Sequence, residues 1–206
     1  MRVTVFCGGS LAENCCLARD EATGLCVLVD PGFVSRELDH AVDAVKVSAI
    51  LLTHGHFDHA GAAAYYRERT GTLLVCAAAE APLLASSELN LSAWFSGAAP
   101  LSLIADRLVR EGDTIQVGET TLTVMETPGH TAGSCCYLAT GVLFAGDTLM
   151  AGSMGRTDFP TGNSRQMMDS LRRLKTLPED TCIYSGHGEA STIGAAKQTN
   201  HYLRSL

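Results

Sequence analysis

Residues Thr53-His54-Gly55-His56-Phe57-Asp58-His59 place three histidines and an aspartate within one short stretch, directly after the apolar run 49–52. Such a run reads as a buried strand. A tight turn at its end brings the imidazoles of His54 and His56 to one metal ion while Asp58 and His59 face a neighbouring one. A surface histidine cluster with Asp58 as a helix N-cap accounts for the aspartate. It does not account for three imidazoles crowded behind a buried strand.

Four ligands are too few for two metals, and the chain supplies three more metal-competent side chains, each beside small residues after an apolar run. His130 lies in Thr127-Pro128-Gly129-His130-Thr131-Ala132-Gly133, Asp147 in Phe144-Ala145-Gly146-Asp147-Thr148, and His187 in Ser185-Gly186-His187-Gly188. The carboxyl ends of strands are where α/β proteins build their sites. Each motif alone reads as turn chemistry. Together they give seven candidate ligands: His54, His56, Asp58, His59, His130, Asp147 and His187.

Apolar runs bounded by turn signals predict strands at 3–7, 14–19, 25–30, 49–53, 73–76, 120–126, 134–139, 142–145 and 182–184. Helical periodicity predicts helices at 35–46, 59–70, 78–89, 164–174 and 192–203. The alternation gives an α/β chain with layered sheets, with no linker dividing it, so residues 1–206 are expected to form a single domain. A faint echo between 53–61 and 127–133 points to two similar halves meeting edge to edge, a histidine cluster on each side of the join.

A formal net charge of -7 argues against a nucleic-acid partner, which calls for a basic stripe. The apolar stretch 73–85 is broken by Glu80 and Pro82, too early for a membrane span. Residues 1–14 lack the continuous apolar core of a signal peptide, so the expected compartment is the cytoplasm. The eight cysteines include the adjacent pairs Cys15-Cys16 and Cys135-Cys136 but no CxxC. They are expected to be small buried hydrophobes without disulfides. His40 and His201, outside the clusters, are expected to be surface or packing residues.

In this order, Thr-His-x-His-x-Asp-His, Pro-Gly-His-Thr, Gly-Asp and Gly-His resemble the metallo-β-lactamase superfamily over nearly the whole chain. Asp30-Pro31-Gly32 matches too, and the run from Gly155 to Gly162 resembles the small single-domain branch related to type II glyoxalases. The resemblance implies a four-layer αββα sandwich with metals in a cleft at the edge of the sheets. It assigns His54, His56 and His130 to one metal, Asp58, His59 and His187 to a second, and Asp147 to both.

The implied chemistry is hydrolysis of a small-molecule thioester or ester, as in S-lactoylglutathione, by a hydroxide bridging two divalent cations. Asp58 is the expected catalytic residue, orienting that hydroxide. Zinc is the first expectation for the metal, with iron or manganese as alternatives. Asp30 is expected to orient a ligand imidazole, the alternative being a turn residue before Pro31. Arg156 is expected to bind a substrate carboxylate, the alternative being that the Arg156-Thr157-Asp158 stretch staples its own loop. Only a short tail follows His187, so the C-terminal helical domain that helps full-length type II glyoxalases bind glutathione is not expected. Two other readings stand: a persulfide dioxygenase with one iron, which the same Gly155–Phe159 segment resembles, and a non-catalytic metal-binding domain. The His187 motif favours the hydrolase over the first, and the complete set of candidate ligands speaks against the second. The lactamase branch normally carries an export signal, and the nuclease branch an inserted domain for which the chain has no room.

Overall fold

The structure, a computed structural model, describes residues 1–95 and 100–206. Its first half opens with an antiparallel meander, β1 (Arg2–Gly8), β2 (Glu13–Arg19) and β3 (Leu25–Val29). Helix α1 (Arg36–Asp43) then crosses over to β4 (Lys46–Leu51), which lies parallel to β3. Ser35 starts α1 by accepting the Leu38 N–H at 3.1 Å, a cap worth ~1 kcal/mol. Short helices α2 (Phe57–Ala60) and α3 (Ala63–Thr70) lead to β5 (Leu73–Ala77), and α4 (Ala81–Leu84) precedes β6 (Arg107–Val109). The sheet order is β1-β2-β3-β4-β5-β6.

The second half repeats the plan with β7 (Thr114–Val117), β8 (Thr120–Glu126), β9 (Cys135–Ala139) and β10 (Val142–Gly146). Helix α5 (Ser164–Leu174) makes the crossover to β11 (Cys182–Ser185), which is parallel to β10. After β12 (Ser191–Thr192) come α6 (Ile193–Thr199) and α7 (His201–Arg204). This sheet runs β12-β11-β10-β9-β8-β7.

Successive strand side chains point to opposite faces, and three separate apolar cores follow. Cys26, Leu28, Ile50, Leu74 and Cys76 face outward onto Leu38, Val42 and Tyr66 of the helices. Their neighbours Val27, Val29, Leu51 and Val75 meet Leu122, Val124, Tyr137 and Phe144 of the other sheet. On the far side Met125, Cys136, Leu143 and Ala145 pack on Met167, Leu171, Ile193 and Leu203. Three cores between layers make a four-layer αββα sandwich. Strands buried on both faces read as unbroken apolar text rather than as alternation.

All nine expected strands form, eight within a residue of the expected bounds, while β4 begins three residues early, at Lys46, and ends two residues early, at Leu51. The two halves stack face to face rather than edge to edge. The adjacent cysteines divide between layers, Cys15 and Cys136 to the outer cores and Cys16 and Cys135 to the central one. All eight thiols are free, and Cys7 is exposed rather than buried. Helix α1 stops at Asp43, three residues short of the expected 46, because Lys46 already begins β4, and three further helices depart from expectation. The run 59–70 is interrupted at Gly61, and 78–89 contracts to a 3-10 turn, Ala78–Glu80, followed by α4. The run 192–203 breaks at Asn200, whose side chain accepts from the N–H groups of Tyr202 (2.9 Å) and Leu203 (3.2 Å) to start α7. No helix among the described residues is long and apolar enough to cross a membrane.

Candidate metal centre

The loops leaving the carboxyl ends of β4, β8, β10 and β11 converge along one edge of the sandwich. Tyr137 Oη donates to Leu52 O at 2.8 Å and Cys135 N to Thr53 O at 2.8 Å, fixing the end of β4 against the second sheet. Gly146 has φ +48, and a Cβ there would lie 2.2 Å from Thr53 Oγ1. Only glycine lets the end of β10 come this close.

The seven expected side chains come together in three overlapping groups that could hold metal: His54, His56 and His130; His54, His59 and Asp147; Asp58, His59 and His187. Asp147 sits between the others. Its Oδ1 is 3.4 Å from His59 Nε2, and its Oδ2 is 3.6 Å from His130 Nε2 and 3.7 Å from His187 Nε2. Asp58 Oδ2 lies 3.3 Å from His187 Nε2 and 3.8 Å from His59 Nε2. His56 Nδ1 and His130 Nε2 face each other at 3.0 Å.

Several rings are held from behind. His59 Nδ1 lies 3.0 Å from Asp30 Oδ2, and His130 Nδ1 donates to the Arg156 carbonyl at 2.7 Å. His54 Nδ1 is 3.3 Å from Thr53 Oγ1. Each contact turns the Nε2 lone pair inward, the arrangement by which metal-binding histidines fix their tautomer.

Charge at the centre is polarised. Burial, with His59 and His130 nearby, holds His54 well below the usual imidazole range, and burial with His130 lowers His56 to about 3. Both rings are therefore neutral and able to ligate. Burial opposes protonation of His59, but Asp58, Asp147 and Asp30 outweigh it and raise its pKa well above the ordinary value. The hydrogen bond to Asp58 raises His187. Burial works against ionisation of Asp58 and Asp147, yet His59 and the neighbouring imidazoles keep both carboxyls below the usual carboxylate range. Two buried carboxylates amid imidazoles form a seat for cations.

The fit to metal has a sharper sign. Among the described residues, His54 Nε2, His56 Nε2, His59 Nε2 and Asp147 Oδ1 are buried without a hydrogen-bond partner. Buried polar atoms are seldom left this way, and a cluster of them calls for an explanation such as an ion. The donor set, imidazoles with carboxylates, suits zinc, iron or manganese.

A cavity of about 320 Å³ opens over the centre, with apolar walls from Phe57, Leu91, Phe95, Met150, Met154 and Phe159. Arg156 borders it, but its guanidinium is already engaged. Nε and Nη2 each donate to Asp158 at 2.6 Å, and the group lies 4.0 Å over the Phe159 ring. His40 and His201 are exposed and apart from the centre.

Two polar residues at the site were not singled out by the sequence. Asn14 Nδ2 donates to the carbonyls of Ser185 (3.0 Å) and Gly188 (2.8 Å), which flank the His187 turn. Glu80 accepts from Gly55 N, Thr131 Oγ1 and Gly133 N. For Glu80 a signal existed: it is a lone carboxylate inside an apolar stretch.

The sequence profile of the metallo-beta-lactamase superfamily matches residues 8–187, and the chain belongs to that superfamily. It is 35% identical to an uncharacterized protein of Aquifex aeolicus (strain VF5), covering 100% of this chain and 99% of that one. It is 29% identical to the hydroxyacylglutathione hydrolase GloC of Haemophilus influenzae, over 100% of this chain and 99% of that one. Among solved structures, BLEG-1, a B3 metallo-beta-lactamase, superposes with a TM-score of 0.91 at 32% identity, covering 98% of this chain and 99% of that one. TTHA1623 in a di-iron-bound form superposes with a TM-score of 0.86 at 33% identity, over 97% and 100% of the two chains.

Proposed function

We propose that this protein hydrolyses a small thioester or ester of the S-lactoylglutathione kind, with two divalent cations, zinc first among them, held by His54, His56, Asp58, His59, His130, Asp147 and His187. The observation that carries the reading is Asp147, buried at the middle of three overlapping ligand groups with one oxygen unpartnered. The similarity to GloC supports the substrate class, and the di-iron form of TTHA1623 supports a centre for two ions. Cations in such a centre would lower the pKa of a bound water towards neutral and polarise the acyl carbonyl.

The chain's own residues then have distinct tasks. Asp58, kept ionised and bordering the cavity, orients the attacking water. Asp30 and the Arg156 carbonyl hold the rings of His59 and His130, so that little reorganisation accompanies the reaction. The apolar walls exclude bulk water from the acyl group and strengthen the electrostatics inside. Among the described residues Arg156 is the one arginine or lysine bordering the cavity, and we assign it to an acidic group on the substrate. With eight free thiols, the protein suits a reducing compartment, and we place it in the cytoplasm.

His187, 3.3 Å from Asp58, gives the second cluster its third member and favours this hydrolase over the one-iron persulfide dioxygenase. Metal-replete protein should be assayed against thioesters, β-lactams and glutathione persulfide, with and without oxygen. Thioester hydrolysis independent of oxygen is expected. Turnover of β-lactams alone, or oxygen-dependent turnover of the persulfide alone, would overturn the proposal.

A further inference from the structure

Glu80 ends the 3-10 turn after β5 and is only 1% exposed. None of its hydrogen bonds goes to a candidate ligand side chain. It reaches instead the backbones of both loops that carry the His54/His56/His130 group. Oε1 accepts from the N–H of Gly55, the residue between His54 and His56, at 2.8 Å. Oε2 accepts from Thr131 Oγ1 at 2.8 Å and from Gly133 N at 3.0 Å, just beyond His130.

Packing shows how closely both loops sit on this segment. A Cβ on Gly133 would fall 2.2 Å from Glu80 N, and one on Gly55 would fall 2.9 Å from Leu83 Cδ2 and 3.2 Å from Leu84 Cα. Burying a carboxylate here is costly. Burial pushes the Glu80 carboxyl up while its three donors pull it back down. A neutral apolar residue would avoid that desolvation, but it has no oxygen to accept from either loop and would leave these donors without their partner.

We propose that Glu80 is a positioning residue that sets the spacing between the His54-Gly55-His56 loop and the His130 loop, and thereby the metal affinity of that cluster in particular. The two loops come from different sheets, and His56 Nδ1 faces His130 Nε2 across the gap at 3.0 Å. Asn14 makes the corresponding contacts to the His187 turn, on the other cluster. The inference rests on the metal-binding part of the proposed function but not on the substrate.

The test titrates metal-free wild type, Glu80→Gln, Glu80→Ala, Thr131→Val and Asn14→Ala with Zn²⁺. It measures the affinity of each position, assigns positions by anomalous scattering from crystals, and records the Tm of each metal-free protein. Both Glu80 variants should lose on the order of 10- to 100-fold in affinity at the His54/His56/His130 position, the range for residues that hold ligands in place, and less at the other. Asn14→Ala should show the opposite bias. Thr131→Val removes one of the three donors and should give a smaller loss of the same kind, which keeps the test open if Glu80→Ala does not fold. Glu80 variants that lower Tm yet bind both ions as wild type does, or that weaken both positions equally, would overturn the proposal. Failure of wild type to bind Zn²⁺ at all would instead sink the metal-binding reading.

Discussion

Asp30 Oδ2 lies 3.0 Å from Nδ1 of the buried His59, and the same carboxylate accepts the backbone N–H of Thr53 at 2.7 Å and its hydroxyl at 2.6 Å. One side chain thus orients a candidate ligand and anchors the start of the His54 loop. It does so from a left-handed backbone, φ +52, which aspartate and asparagine tolerate better than other residues.

Replacing Asp30 separates these effects. Asp30→Asn keeps the backbone preference and the size but removes the charge facing His59. Metal affinity should fall ~10- to 100-fold, with only a modest change in Tm. Asp30→Ala adds backbone strain and should lower Tm further. Metal titration alongside thermal melts checks both, and unchanged metal affinity in Asp30→Asn would refute the orienting role.

Metal content tests the central place of Asp147. Purified wild type, metal-replete, should carry about two equivalents of transition metal, because seven ligands exceed the four or five that one such ion takes. Asp147→Ala should weaken both positions together, whereas His187→Ala should weaken mainly the one near Asp58 and His59. Elemental analysis with anomalous scattering decides the matter, and one fully occupied position in replete wild type contradicts it.

The seven clustered side chains were legible because each sits in a short local motif at the end of a strand, where sequence neighbours are also spatial neighbours. The roles of Glu80 and Asn14 were not, although Glu80 stood out as a lone carboxylate in an apolar stretch, since their contacts reach loops distant in sequence and only the stacking of the sheets creates them. The same limit hid the mode of stacking. Strands such as β4, apolar at every position from Ala49 to Leu51, bury both faces and leave no alternation from which a partner sheet could be read. β6, β7 and β12 have two to four residues each, too few for any period to emerge. The break at Asn200 depends on a cap whose geometry the helical pattern of 192–203 conceals.

Asp20 supplies a pH-dependent tie between the sheets. Its carboxylate accepts from Thr23 Oγ1 (2.6 Å), Glu119 N (3.0 Å) and Thr120 Oγ1 (3.0 Å), joining the β2–β3 turn to the β7–β8 turn. The bonds from Thr23 and Glu119 hold its pKa far below the usual carboxylate value. The unfolded chain therefore binds the proton first as pH drops, and the stabilisation is complete above ~3.9 and fades below it. Asp20→Asn should melt earlier than wild type at neutral pH, with the difference in Tm shrinking as pH falls below about 4. A difference that stayed constant down to the acid limit would show that the charge is immaterial.

Arg156 bears on which substrate the cavity takes. Its fork is filled by Asp158, and both side chains are more than half exposed, so a substrate carboxylate has to displace or share that partner. If it does so, Arg156→Ala should raise KM for S-lactoylglutathione severalfold while leaving bound metal and kcat nearly unchanged, the signature of lost uniform binding. A neutral thioester of the same acyl size should be almost indifferent, since under the proposed function its reaction would draw on the metal centre and Asp58 alone. Asp158→Asn adds a second arm: freeing the guanidinium should lower KM for the acidic substrate if Arg156 binds it, and raise KM for both substrates if the pair only braces the loop. The bracing role has a specific route to the centre, because the Arg156 carbonyl accepts from His130 Nδ1. Equal losses for acidic and neutral thioesters in Arg156→Ala, accompanied by weaker metal binding, would therefore identify the residue as a support for His130 and remove it from substrate recognition.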